Sequence, residues 1–236
     1  MFEWVFQMKK GIYTTFNPHA SQAMSLMNIK WFHTNGLTKD SIETQYKFIG
    51  CVSDESKMTT SSLASAKKIT DTIMGFTNPE TQMSPEYCAG LWNTIQNTKL
   101  NIGSPCFSDF IWMNQFMALV TSRKLKVDFV CMQWYGQDRN VKNSIRELKM
   151  NCLKTFMAYD RPIWLTRFAL NPKFTKEKKI EFIHAALDVL EMLPYVHRYA
   201  WDNLNSGANA LVDGMGYPNE IGLAYAGTEG FGISTP

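Results

Sequence analysis

Eight short apolar or β-branched runs, separated by helical patterns from one end of the chain to the other, restrict the fold more than any other feature. They occupy residues 11–16, 28–35, 46–52, 72–77, 101–107, 127–135, 162–169 and 198–203. Strands that alternate with helices pair in parallel through right-handed crossovers. Eight such units in 236 residues predict an α/β protein, a single (β/α)8 TIM barrel covering residues 1–236. An open doubly wound sheet is one alternative, although no glycine-rich phosphate loop follows the first run. A mixed α+β domain is the other.

The segments between the runs carry helix signals of their own. Ser84-Pro85-Glu86 supplies an N-cap, a proline suited to the first helical position and an acid for the first turn. Ala89, Trp92 and Ile95 follow at helical spacing. A second helix is predicted from near Thr175, with Ile180, Ile183, Leu187 and Leu190 on one face and Pro194 as its stop. Residues 206–216, rich in Gly, Asn and Ala, read as a long loop after the last strand.

Composition excludes several function classes. A hydrophobic share of 45% with 19% charged residues describes a globular chain. The net charge is +3 and its basic residues are scattered, so no nucleic-acid partner is expected. The densest basic run, Lys173, Lys176, Lys178 and Lys179, coincides with a helix start and reads as a solvated face. No apolar run approaches the ~20 residues needed to cross a bilayer, so no membrane partner is expected. Residues 1–10 place Glu3 near the start and Lys9-Lys10 after the apolar stretch, the reverse of a signal peptide. An intracellular location or a place in a larger assembly is the expectation, with secretion only through a removed leader.

Five cysteines occur at wide spacing without a C-x-x-C pair, which supports neither zinc nor a disulfide framework. Cys51, Cys106 and Cys131 lie in apolar runs and read as buried thiols. The histidines are His19, His33, His184 and His197. No two have metal-ligand spacing, and no metal or cofactor is expected. His184 and His197 read as surface residues. A Cys131–His33 dyad is a weak candidate, because Cys131 fits a core strand.

A barrel of this kind carries its site at the C-terminal ends of its strands. Those ends offer His33 and Asn35, Ser53 and Asp54, Asn78 and Glu80, Gln133 with Trp134 and Tyr135, Arg167, and Trp201 with Asp202. Aromatic faces beside amides suit sugar rings, whose C–H faces stack while hydroxyls need partners. The competing reading is that each aromatic packs under a loop.

Several segments, in their order and spacing, carry a more specific signal. They include Lys9-Lys10-Gly11-Ile12, Trp31-Phe32-His33, Gly75-Phe76, Met83-Ser84-Pro85-Glu86 and Gly103-Ser104-Pro105. Val127-Asp128-Phe129-Val130, Trp134-Tyr135-Gly136, Pro162-Ile163-Trp164, Leu193-Pro194-Tyr195-Val196 and Arg198-Tyr199-Ala200-Trp201 complete the set. Together they resemble the small-barrel β-1,3-glucan hydrolases of glycoside hydrolase family 128, the glycosyl hydrolase catalytic core family, over residues 10–225.

The resemblance implies a retaining mechanism with a carboxylic acid and a carboxylate nucleophile flanking the scissile bond. In the family the acid follows the fourth strand, in Gly-Phe-Asn-Glu-Pro. This chain has Gly75-Phe76-Thr77-Asn78-Pro79-Glu80, and anchoring on the proline puts Asn78 at the acid's position. The nucleophile ends the seventh strand, in Trp-Val-Thr-Glu-Phe-Ala. Trp164-Leu165-Thr166-Arg167-Phe168-Ala169 puts Arg167 there. An amide has no proton of suitable acidity for a leaving oxygen. A guanidinium stays protonated, has no lone pair for attack and opposes an oxocarbenium-like transition state.

The chain also departs from the family at Gly50-Cys51-Val52-Ser53, which lacks an aromatic residue. Gln133 stands where the family has histidine, and Thr34 and Asn35 where it has Asn and Trp. A glycoside-hydrolase-like pseudoenzyme is therefore expected, one that binds β-glucan, another carbohydrate or a protein partner, the last as a scaffold. Trp134, Tyr135 and Trp201 would stack on sugar while Asn78 and Gln133 hydrogen-bond to it. The alternative is an active endo-β-1,3-glucanase with relocated carboxylates, using Glu80 as the acid. An inverting scheme then needs a second carboxylate roughly 6.5–9.5 Å away, for which Asp54 and Asp202 are the candidates. Glu80 is equally placed to act as the counter-ion of Arg167.

Overall fold

The computed structural model describes residues 9–227 apart from 16, 40, 41, 43 and 139. Its strands are β1 (Lys10–Tyr13), β2 (Trp31–His33), β3 (Lys47–Cys51), β4 (Thr72–Met74), β5 (Asn101–Gly103), β6 (Val130–Gly136), β7 (Ile163–Leu170) and β8 (Val196–Trp201). The helices are α1 (Ala20–Leu26), α2 (Thr60–Ala66), α3 (Pro85–Gln96), α4 (Phe110–Ser122), α5 (Val141–Tyr159), α6 (Lys176–Met192) and α7 (Glu220–Ala226). All strand pairs are parallel, in the order β5-β4-β3-β2-β1-β8-β7-β6. Bridges Gly103↔Phe129 and Phe107↔Met132 close the seam between β5 and β6. The expected (β/α)8 TIM barrel is the observed fold.

The sequence runs overshoot several strands at their C-terminal ends. Residues such as Thr34 and Asn35 leave the ladder where the mouth begins. Residues 101–107 shorten to Asn101–Gly103 because Pro105 has no N–H to give a ladder. Phe16, the last residue of the first run, and residues 1–8, read above against a signal peptide, lie outside the described residues.

The two helix signals hold. Ser84 Oγ accepts from the Tyr87 N–H at the start of α3, and Trp92, Ala89 and Ile95 are buried. Thr175 caps α6, which buries Phe182, Ile183, Ala186 and Leu190 against the strands. No regular strand or helix is described between β8 and α7, as the loop reading of 206–216 requires.

Two apolar layers follow from strand alternation. Trp31, Ile49, Cys51, Met74, Cys106, Phe129, Cys131, Trp164 and Ala200 fill the barrel interior. A larger layer joins strands to helices. A Cβ on Gly11 would collide with the Trp31 ring, so this strand position needs glycine. All five cysteines are free and buried, as expected for Cys51, Cys106 and Cys131. His184 is exposed and His197 half-buried.

The β8–β1 seam is held from below by two consecutive lysines. Lys9 Nζ donates to the carbonyls of Leu190, Glu191 and Leu193 at 3.2, 2.9 and 3.1 Å. Lys10 Nζ donates to those of Tyr225 and Ala226 at 3.0 and 3.2 Å. Each lysine thereby supplies the orphan carbonyls at a helix C-terminus, α6 and α7 respectively.

Candidate functional site

Arg167 owes its position to a bulge. On β6, Leu165 pairs with Met132 and Arg167 with the next residue, Gln133. On β8, Leu165 pairs with Tyr199 and Phe168 with Trp201. β7 therefore carries an extra residue at Thr166–Arg167 on both sides. Alternation from the inward Trp164 would send Arg167 outward with Leu165. The bulge re-aims it into the mouth, as bulges beside functional sites do.

There Arg167 Nε and Nη2 donate to Asp202 Oδ1 at 3.0 and 2.7 Å. The Tyr135 hydroxyl donates to the same oxygen at 2.6 Å. The guanidinium carbon lies 4.1 Å from the centre of the Tyr13 ring, a cation–π contact. The pair is largely enclosed, with side-chain exposures of 21% for Arg167 and 16% for Asp202. Burial opposes the charge on Arg167, but Tyr135 and Asp202 outweigh it and its pKa stands above the ordinary value. Burial pushes the Tyr135 phenol upward, so it remains a donor to Asp202.

Beneath this pair, His33 reaches across the barrel from β2 to β7. Its Nε2 lies 2.8 Å from the Thr166 carbonyl oxygen. A carbonyl can only accept, so Nε2 carries the proton and Nδ1 presents a lone pair. That Nδ1 is buried and has no partner among the described residues. Burial lowers the His33 pKa to about 4; the Thr166 bond opposes this and the Arg167 charge adds to it. The ring is therefore neutral at pH 7.

Between the unfolded value of about 6.5 and the folded value of about 4, only the unfolded chain binds this proton. Stability contributed by neutral His33 is full above pH 6.5 and is lost as pH falls toward 4, by roughly 3 kcal/mol in all. Urea midpoints at pH 7.5 and 4.5 should differ more for the wild-type chain than for His33→Asn. Equal differences would contradict the linkage.

Several expected contacts are not made. Glu80 is not the counter-ion of Arg167; Asp202 takes that role. Glu80 Oε1 instead accepts from the Ser108 N–H at 2.9 Å and from its hydroxyl, tying the β4 loop to the β5 loop. Glu80 Oε2 is buried without a partner among the described residues. Asp54 accepts from Ser53 Oγ and from the Ser56 N–H at 2.9 Å each, capping the turn Glu55–Lys57.

Trp134 and Trp201 cannot offer stacking faces, because loops and helices cover both. Trp134 is 5% exposed and stacks on Phe182 of α6. Trp201 is fully buried, and its Nε1 donates to the Asn209 carbonyl at 2.8 Å. Tyr135 is half-buried and keeps a place at the mouth. Gln133 is buried at 6% exposure beside Arg167 in the ladder. Asn78 is half-buried with a left-handed backbone, φ 46° and ψ 54°, a conformation that asparagine adopts more readily than most residues. Cys131 is enclosed and burial raises its thiol pKa, while His33 is engaged with Thr166, so no Cys–His dyad forms. Among the described residues no cluster of three or more His, Cys, Asp or Glu could hold a metal ion. None of the described helices is long and apolar enough to cross a membrane.

Tyr13 was not legible as a mouth residue. The run 11–16 puts it mid-strand, but β1 ends at Tyr13 and its ring supports Arg167. The family model for the glycosyl hydrolase catalytic core matches residues 11–225. The chain belongs to this family, glycoside hydrolase family 128. A subgroup I endo-β-1,3-glucanase of the family from Amycolatopsis mediterranei, crystallised with laminaripentaose, is 26% identical and superposes with a TM-score of 0.88. The match covers 93% of this chain and 98% of that one. A subgroup II endo-β-1,3-glucanase from Sorangium cellulosum is 21% identical, with a TM-score of 0.78 over 92% of this chain and 97% of that one. A subgroup III curdlan-specific exo-β-1,3-glucanase from Blastomyces gilchristii shares the fold at 19% identity and a TM-score of 0.79, over 94% and 98% of the two chains. No curated protein matches this chain. It thus has the barrel of a family 128 β-1,3-glucanase, with Asn78 in the loop after β4 and an Arg167–Asp202 pair at the ends of β7 and β8.

Proposed function

We propose that this chain is a non-hydrolysing member of family 128 that binds a β-glucan or related saccharide at its barrel mouth. The observation that carries this reading is Arg167, held to Asp202 at 2.7 Å at the position where the family motif has its nucleophile. A guanidinium in an ion pair can neither attack an anomeric carbon nor stabilise positive charge on it. Asn78, at the acid's position, has no proton to give a leaving group. What remains is recognition. Tyr135 and Tyr13 supply aromatic surface, and Asn78, Gln133 and Asp202 Oδ2 supply hydrogen-bonding groups.

Calorimetric titration with laminarihexaose tests the reading. Saturable binding is expected, weakened roughly tenfold by Tyr135→Ala through loss of its ring contact. Absence of binding would overturn it and favour a protein partner.

One observation favours a second reading. Glu80 Oε2 is buried and unpartnered among the described residues, as a relocated acid could be, with Asp202 as the second carboxylate. Hydrolysis of laminarin that Glu80→Gln abolishes would establish it.

A further inference from the structure

Arg167 has two edges on which an acceptor can dock, and its protein contacts use one. Nε and Nη2 form the side-on edge, and both donate to a single oxygen of Asp202. The opposite edge, Nη1 with the second hydrogen of Nη2, has no partner among the described residues. Neither Nη1 nor Nη2 is among the buried polar atoms without a partner, and the side chain keeps 21% exposure. This free edge therefore reaches the mouth. The Tyr13 ring lies against the guanidinium face at 4.1 Å, so the fork is fixed in orientation before a ligand arrives.

Building on the saccharide reading above, we propose that this edge is an oxyanion site and that the saccharide bound at the mouth carries a carboxylate group. Two parallel N–H donors match the two oxygens of a carboxylate, whereas a sugar hydroxyl answers only one of them. The surroundings allow a second anion. Asp202 Oδ1 already accepts from three donors. Lys173, on the loop that follows β7, adds positive potential at the same C-terminal end of the barrel. The mouth would then select acidic over neutral glycans, a preference opposite to that of a site lined by two catalytic carboxylates.

Two probes test this by calorimetry: laminarihexaose, and the same oligosaccharide oxidised at its primary hydroxyls to carboxylates. The oxidised form is expected to bind roughly tenfold more tightly, with an advantage that shrinks as salt is raised. Arg167→Gln should remove that advantage while neutral laminarihexaose still binds. Because this change leaves Asp202 without its cation, Arg167→Gln/Asp202→Asn is measured beside it; its own affinity for laminarihexaose, lowered by loss of the Asp202 carboxylate, is the reference against which the oxidised probe should show no advantage. Equal or weaker binding of the oxidised probe, or an advantage that survives both variants, overturns the inference and leaves the saccharide reading standing. If neither probe binds the wild-type chain, both fall.

Discussion

Placing glutamates at positions 78 and 167 is expected to create a glucanase. The chain Asn78→Glu/Arg167→Glu/Asp202→Asn should release oligosaccharides from laminarin at least about a hundredfold faster than the parent, the scale of a positioned acid–base group. The third change has an electrostatic reason. Arg167→Glu alone would place a new carboxylate beside Asp202 with no cation between them, and one of the two would then hold its proton. With Asp202 made neutral, the new carboxylate can ionise and attack. The bulge at Thr166–Arg167 already aims this position into the mouth, so no backbone change is needed. Chromatography of laminarin digests checks the outcome. A triple variant that binds glucan but leaves it intact would show that carboxylates at these positions are not sufficient.

The second large effect concerns stability. Asp202→Ala removes the counter-ion of a guanidinium that is 21% exposed and leaves its charge uncompensated. Breaking such a pair from one side costs about 3 kcal/mol or more, a fall in Tm of roughly 10 °C for a chain of this size. Arg167→Gln/Asp202→Ala removes both charges and should recover most of the loss. Thermal unfolding of the two single variants and the double completes the cycle. Additive losses would mean that the pair contributes no coupling and that packing alone holds Arg167.

What the sequence revealed depended on periodicity. Alternating runs and helix caps such as Ser84 and Thr175 are local signals, so the barrel and its order of elements were legible. The proposal that Arg167 and Asn78 stand at the family's catalytic positions rests on motif spacing alone. The identity of the partner of Arg167 was not. Glu80 is nearer the acid motif in sequence, but the β7 bulge and the start of the β8 loop bring Asp202 to the guanidinium instead. Bulges leave no mark in hydrophobic pattern. Trp134 and Trp201 failed for a related reason. Both sit near strand ends, but α6 and the 206–216 loop cover them, and no strand pattern records what lies above a strand. Tyr13 was hidden because an apolar run cannot show where its ladder stops.

The central claim is that family 128 architecture here binds without cleaving. The most direct measurement incubates the unaltered chain with laminarihexaose, records the heat of binding and then analyses the same sample by chromatography. Saturable binding with the hexaose recovered intact is the expected result. Shorter oligosaccharides in the wild-type sample, absent when Glu80→Gln is substituted, would contradict it.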